Sequence, residues 1–210
     1  MQKKTNTKKI NRCDWCGDDP LYQQYHDDEW GVPTFDDKTL FEFLLLEGAQ
    51  AGLSWITVLR KRENYRKAFN QFNPEKIARY SETKIQRLKL NAGIIRNELK
   101  IRSAVTNAQC YLELCHEKDS LSNYLWNFVD GKPIKNSWKS MKTIPVNTPL
   151  SDIISKDLKK RGFKFVGSTI IYAYMQSMGL VNDHLVDCHS YHDCHHNCHH
   201  NCHHDGNPKG

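Results

Sequence analysis

No stretch of this 210-residue chain approaches the apolar run that a membrane-spanning helix needs. The strongest, LFEFLLL at residues 40–46, carries Glu42 inside it and stops at Glu47. The first ten residues, MQKKTNTKKI, hold no acid and lack the hydrophobic centre of a secretory signal. These absences predict a cytoplasmic protein with no membrane partner. In that compartment the eight cysteines are expected to stay reduced or to bind metal rather than to pair as disulfides.

Hydrophobic residues at 39% and charged residues at 26% fit an ordinary globular protein, and the length suffices for one domain with a sizeable core. The net charge is +6, and Lys3, Lys4, Lys8 and Lys9 supply much of it. Residues 1–11 therefore read as a disordered basic arm, either simply solvated or used to find a phosphate backbone. Residues 12–188 read as the folded domain. Residues 189–210 form a low-complexity tail, in which DCHHNCHHNCHHD repeats with period four and little beyond Tyr191 could enter a core.

The domain pattern is helical, with few strand candidates, and predicts roughly eight to ten helices. In DDKTLFEFLLLEGAQAG, Leu40, Phe43, Leu44, Glu47 and Ala51 fall on one helical face. Gly52 ends that helix and Ser54 can cap the next, WITVLRKRENYRKAF. NPEKIARY, SETKIQRLKL and SLSNYLWNFV read as short helices, and IIRNELKIRSAVTNAQCYLELC as a long one. Residues 130–147 read as a loop. Thr148, Pro149 and Gly162 mark the cap, first residue and end of another helix, and STIIYAYMQSMG ends at Gly179 in the same way.

Two features suggest chemistry. Between the helices around residues 85–90 and 94–115, the turn NAGII lets Gly93 bring the backbone close to something. A helix beginning just after it would point free N–H groups at a phosphate, with Arg96 and Lys100 nearby. This is the helix–hairpin–helix pattern, and an ordinary helical hairpin is its plain alternative. The second feature is Glu47, a carboxylate on an apolar face, where burial is costly unless it is paired. Trp15, Tyr22, Tyr25, Trp30 and Trp55 lie on the flanking segments. Aromatic faces around one carboxylate make a pocket for a flat cation, because rings stack and attract positive charge while the carboxylate opposes it. The alternative is a helix-end glutamate satisfied by backbone amides.

The runs DPLYQQYHDDEWGVP, FEFLLLEGAQAGLSWITVLRKRENYRKAF, NAGIIRNELKI and LKKRGFKFVGSTIIYAYMQSMGLVNDH resemble the 3-methyladenine DNA glycosylase I family of bacterial alkylation-repair enzymes. The likeness spans Arg12 to about Cys188. It implies an all-α helix–hairpin–helix glycosylase fold with a structural zinc joining the N- and C-terminal segments. It implies a monofunctional enzyme, acting as a monomer, that flips N3-methylated adenine out of double-stranded DNA and releases 3-methyladenine by hydrolysis. The essential glutamate falls on Glu47. The base pocket falls on Tyr25 and Trp55, with Trp15, Tyr22 and Trp30 beside them. Leu53 falls where the family plugs the gap left by the flipped nucleotide. Ala92, Gly93 and Ile94, with the basic run Lys159, Lys160, Arg161 and Lys164, are expected to hold phosphates. Residues 101–115 contain no aspartate, in keeping with a family that lacks the aspartate many helix–hairpin–helix glycosylases carry there.

For the metal, His184 and Cys188 are four apart, and Cys13 and His26 flank the aromatic segment, so the two ends can form a Cys₂His₂ tetrahedron suited to zinc. The family's ligands fall on these four. The rival half-site is Cys13 with Cys16, a C-x-x-C pair. His189, His192 and the repeats specify no single geometry. Three other functions remain: a metal-dependent hydrolase, which would need an open coordination position, a metal-storage protein working through its tail, and a DNA-binding module without catalysis.

Overall fold

The computed structural model describes residues 10–193. Most of the basic arm and the repeats from Cys194 onward lie outside the described residues. The described chain is helical, in keeping with the all-α expectation. To the helices it adds one parallel strand pair, Ile134–Lys135 against Val181–Asn182, where a plain loop was expected over 130–147.

After a first helix, α1, Pro20–Asp28, the centre of the molecule is α2, Asp37–Gln50. Sequence periodicity gives it one apolar face, yet every residue from Leu40 to Ala49 is buried. A helix buried all round is a core helix, and its flanks are covered by the elements that follow it. Ala51 lies just beyond its end and shares no helical face with Glu47. The second charge on α2, Glu42, is buried too and accepts hydrogen bonds from Arg62 (2.6 Å) and Arg66 (2.8 Å). Those two arginines lie on α4, Arg62–Ala68, which a break at Arg60 and Lys61 separates from α3, Trp55–Leu59. The single helix expected over 55–69 is thus two short ones, and the break lets α4 swing its arginines onto Glu42.

Helix α5 is Pro74–Ile77, α6 is Glu82–Leu90, α7 is Glu98–Lys118 and α8 is Leu121–Trp126. Asn73, Ser81, Asn97 and Ser120 cap these four with side-chain oxygens on the third amide onward. Thr148 and Ser151 form a reciprocal capping box on α9, Pro149–Lys160. Helix α10, Ser168–Ser177, packs against α9 and α2. At its end Gly179 adopts φ +70°, and a Cβ there would lie 2.4 Å from Val32 C and Pro33 N. Only glycine permits this crossing, which laces residues 31–34 to α10 through Gly31 N–H to Gln176 O (3.0 Å) and Thr34 N–H to Met178 O (3.2 Å).

The packed part of the chain extends past residues 12–188 at both ends. Asn11 Nδ2 donates to Asp187 O (2.7 Å), and His189 N–H donates to Asn11 O (2.9 Å). A final turn, α11 at Ser190–Asp193, buries Tyr191, whose carbonyl accepts from Asn182 Nδ2 (3.2 Å).

Candidate active site

A cleft of about 590 Å³, counted to its open mouth, is lined by Trp15, Tyr22, Tyr25, Trp30, Glu47 and Trp55, together with Gln50, Met141, Ala173, Gln176 and Ser177. That size suits a small flat ligand. The structure therefore brings together the carboxylate and all five aromatics that the sequence singles out. These six come from two places, the N-terminal segment and the end of α2 with the start of α3; α10 supplies Ala173, Gln176 and Ser177, and the loop before α9 supplies Met141. The rings form a continuous wall. Trp15 lies edge-on to Tyr22 (4.8 Å between centroids) and Trp30 (5.0 Å), and Tyr25 lies 5.5 Å from Trp55. Among the described residues, the indole N–H groups of Trp15 and Trp55 are buried donors without a hydrogen-bond partner. A cost of this kind is tolerated most readily where a ligand completes the set.

Glu47 is only 3% exposed. Burial pushes its carboxyl up to about 7, and a hydrogen bond from Ser177 acts in the lowering direction. Ser177 Oγ donates to Glu47 Oε1 at 2.7 Å and accepts from the Tyr25 hydroxyl at 3.1 Å. It also lies 2.9 Å from Ala173 O. One hydroxyl proton serves one acceptor at a time. With Glu47 ionised the Ser177 proton points at the carboxylate. With Glu47 protonated, Glu47 donates to Ser177, which turns to the Ala173 carbonyl. The serine thus supports both charge states. Burial, followed by the Glu47 charge, pushes the Tyr25 hydroxyl well above its ordinary value, so it stays a donor. Ser177, Gln176 and Ala173 were missed in the sequence. Their only signal is that they sit at i, i+3 and i+4 as small or polar residues on an otherwise apolar helix.

Beside the cleft the turn after α2 is tightly tied. Gln50 Nε2 donates to Leu53 O (2.7 Å) and Leu53 N–H to Gln50 O (2.7 Å). Gly52 takes φ +77° there, and the Leu53 side chain stands 38% exposed. The Lys100 ammonium, read from sequence as a phosphate ligand, instead donates to Ala49 O (2.8 Å) and Ala51 O (2.6 Å). The reason is electrostatic: the last carbonyls of α2 form a negative end that a cation caps.

The hairpin differs from its expected form. Helix α7 begins at Glu98, capped by Asn97, several residues after the turn rather than just beyond it. The amides of Gly93, Ile94 and Ile95 are bonded internally, to Asn91 Oδ1 (2.8 Å), Asn91 O (3.3 Å) and the Tyr65 hydroxyl (3.1 Å). A Cβ on Gly93 would meet Asn64 at 3.1 Å, so the glycine is needed for space. Lys61 Nζ donates to Ala92 O (2.9 Å), and Ala92 and Arg96 are exposed. In the basic run, Lys159, Lys160 and Lys164 are exposed, whereas Arg161 is paired with Asp157 (2.7 Å) and Glu117 (2.6 Å).

Behind the aromatic wall, Cys13, His26, His184 and Cys188 are all buried, and their ligand atoms lie within 4.8 Å of one another. Tetrahedral metal bonds of about 2.3 Å to sulfur and about 2.0 Å to nitrogen set neighbouring sulfur and nitrogen atoms about 3.6 Å apart. Cys188 Sγ is 3.4 Å from His26 Nε2 and 3.5 Å from His184 Nδ1, and Cys13 Sγ is 3.7 Å from His184 Nδ1. The four residues therefore fit a small tetrahedral ion. The second nitrogen of each ring is held, His26 Nδ1 by Asp27 Oδ1 (2.8 Å) and His184 Nε2 by Trp30 O (3.0 Å). Such outer contacts fix which nitrogen faces a metal. A hydrogen bond from Cys13, with help from His184 and His26, holds the Cys188 thiol low, and the same bond pushes Cys13 up. Cys16 stands apart from this cluster, its thiol donating to Cys13 O (3.2 Å). A buried carboxylate, Asp183, joins the two regions: it accepts from Tyr172 (2.6 Å), Gln176 (2.8 Å), Trp138 (2.7 Å) and Asn136 (2.7 Å), so the residue before His184 holds a residue of the cleft.

A family described as methyladenine glycosylase matches residues 15–192. DNA-3-methyladenine glycosylase 1 of Escherichia coli (strain K12) is 52% identical over 182 residues, covering 87% of this chain and 97% of the relative. DNA-3-methyladenine glycosylase of Haemophilus influenzae is 51% identical, covering 84% and 96%. A crystal structure of 3-methyladenine DNA glycosylase I superposes with a TM-score of 0.84 at 53% identity, covering 85% of this chain and 98% of the other. A Staphylococcus aureus structure, solved to explain recognition of 3-methyladenine, also gives 0.84, at 38% identity and with 88% and 98% covered.

Proposed function

Since the chain belongs to the methyladenine glycosylase family, we propose that the Glu47 cleft receives a flipped, N3-methylated adenine, whose glycosidic bond is then hydrolysed. The protein is a DNA glycosylase that excises 3-methyladenine from alkylated DNA. The observation that carries the site assignment is one fully enclosed carboxylate facing a cleft walled by aromatic rings.

An N3-methylated adenine nucleotide bears positive charge on its base and loses that base as a neutral molecule. The bond to the sugar is already weak, so a strong general acid is unnecessary. The protein must flip the nucleotide, recognise the cation and let water reach C1′ as the sugar gains oxocarbenium character. Glu47 in low dielectric rewards a positive base far more than it would in water. Ordinary adenine is neutral and gains no ion pair. Tyr25, Trp55 and the neighbouring rings stack on the base. Ser177, held by Tyr25, keeps the carboxylate aimed. Among the described residues no lysine lines the cleft to form a Schiff base, which supports hydrolysis without strand cleavage.

Leu53, exposed on a tied turn at the cleft, fills the gap left in the duplex. In a helix–hairpin–helix role, Ala92 and Arg96, exposed on a turn shaped by Gly93 and the buried Ile94, approach the phosphates together with Lys160 and Lys164. Arg161 contributes less because its charge is paired. Zinc fits the Cys13, His26, His184 and Cys188 set by donor type and spacing, and four protein ligands leave it no open position, so it is structural. It supplies a clamp behind Trp15 and Trp30 and takes no part in the reaction. The folded enzyme functions as a monomer, with residues 1–11 as a basic arm.

Incubation with methylated duplex DNA, followed by chromatography of released bases, tests this reading. Free 3-methyladenine and unbroken strands are expected. DNA binding without base release, or trapping of the protein on abasic DNA by borohydride, would overturn it.

A further inference from the structure

The segment from Gly131 to Ser151 contains Lys132, Lys135, Lys139 and Lys142 and no acid. All four lysines are exposed. Met141, from the same segment, lines the cleft. We propose that Lys139 and Lys142, on either side of Met141, hold phosphates of the damaged strand next to the flipped nucleotide. This is a further DNA contact, separate from the hairpin around residues 91–96 and from the lysines at the end of α9. It rests on the glycosylase reading of the cleft.

The backbone that carries the two lysines is fixed in place. Ile134 N–H donates to Leu180 O (2.9 Å) and Asn136 N–H to Asn182 O (3.2 Å). Asn136 Nδ2 and Trp138 Nε1 each donate to the buried carboxylate of Asp183 (2.7 Å), and Val186 N–H donates back to Trp138 O (2.9 Å). Beyond Trp138 the chain makes one turn, in which Ser140 O accepts from the Thr143 amide (3.0 Å) and hydroxyl (2.7 Å). Trp138, Met141 and Ile144 pack against the core. The lysines therefore leave a preorganised backbone beside the cleft, which lowers the ordering cost of a contact made there.

A flipped base stays joined to its sugar, so the phosphates on both sides of that sugar lie at the mouth of the cleft. Other cations near this region are engaged within the fold. Lys100 caps the end of α2, Arg60 pairs with Asp19 (2.5 Å), and Arg62 pairs with Glu42 and Glu29 (2.6 Å each). Among the described residues, neither Lys139 nor Lys142 has a side-chain hydrogen bond or ion pair. An ammonium on a flexible four-carbon stem suits a backbone phosphate, a contact that positions the duplex without reading its sequence. The other two lysines are placed differently. The Lys135 ammonium lies over the Tyr191 ring, 4.3 Å from its centroid, and Lys132 precedes the strand pair that separates it from Met141. They carry the same charge on the same segment and serve as controls.

The test compares the parent, a protein carrying Lys139→Ala and Lys142→Ala, and one carrying Lys132→Ala and Lys135→Ala. Binding to a short duplex with a tetrahydrofuran abasic analogue is measured over a range of salt, and binding of free 3-methyladenine by calorimetry. Two phosphate contacts release about 1.8 counterions, so the first variant should lose about 2 from the salt slope, and the parent's advantage in affinity should shrink about tenfold between about 50 and 200 mM salt. The first variant should bind the free base and melt as the parent does, since neither side chain has a partner to lose. The second variant should keep the parent's slope. An unchanged slope in the first variant, or an equal fall in both, overturns the proposal. A parent that neither binds this duplex nor releases 3-methyladenine from methylated DNA would remove the glycosylase reading and the proposal with it. A parent that does both, beside a first variant with the parent's slope, removes the lysine contact alone.

Discussion

Replacing Glu47 by glutamine retains the shape of the side chain and an acceptor for Ser177 but removes the charge. In the folded protein burial raises the Glu47 carboxyl from 4.5 to about 7. A raised acid stabilises the fold fully below its unfolded value, and that stability is lost as pH climbs through the folded value. Between pH 4.5 and 7 the unfolded chain has released this proton while the folded chain retains it, so stability falls with rising pH. The total is about 3 kcal/mol from the size of the rise. Glu47→Gln has no such slope. Urea denaturation of both proteins should show the variant gaining on the parent across this window, up to about 3 kcal/mol by pH 8. Histidines and metal ligands are common to the pair and cancel in the difference. Excision should move the opposite way: kcat/KM of the parent rises through an apparent pKa near 7 as the carboxylate becomes available for the cationic base, while the variant is strongly impaired at every pH. Ser177→Ala removes the bond that lowers Glu47 and should shift that inflection upward. A stability difference that stays constant with pH, or full activity in a folded Glu47→Gln protein, would refute the reasoning.

Trp55→Ala should weaken binding of free 3-methyladenine by about 1–3 kcal/mol, the scale of base–aromatic stacking, as read by calorimetry. His184→Ala should lose tightly held zinc and lower the melting temperature, and metal analysis with a thermal melt checks both; unchanged values would show that the cluster holds no ion. Binding to duplex DNA should fall steeply with salt, and Lys160→Ala and Lys164→Ala should each reduce the slope by about 1, with Arg161→Ala having less effect because Asp157 and Glu117 already neutralise it.

Much of the helical layout was legible because its signals are local. Thr148 and Pro149 mark the start of α9, and Gly162 follows its end by a single residue. The cleft aromatics were legible because a carboxylate in an apolar run is costly and demands an explanation. What stayed hidden depends on distant partners. The strand pair is two residues long on each side, too short for alternation to show, and its halves are far apart in sequence. Lys100 is indistinguishable by type from a phosphate ligand until the end of α2 is seen beneath it. The late start of α7 follows from Asn97, a cap that competes with an equally helical run before it. Ser177 lies on a helix whose apolar residues dominate its pattern, so its place beside Glu47 emerges only when α10 is packed on α2.

The cluster of Cys13 and His26 with His184 and Cys188 brings together positions far apart in sequence, Cys13 and His184 being 171 residues apart. During synthesis the N-terminal half of the cleft, with Trp15, Tyr25, Glu47 and Trp55, is made long before Ala173, Gln176 and Ser177 that close it. A nascent chain stopped before residue 173 has the carboxylate but not its serine, and one stopped before His184 has two ligands out of four. Neither can hold an alkylated base in a dry, finished site. An enzyme that extracts bases from the genome is therefore incomplete until the helix carrying Ser177 has been made, and the four buried Cys and His side chains come together only after that.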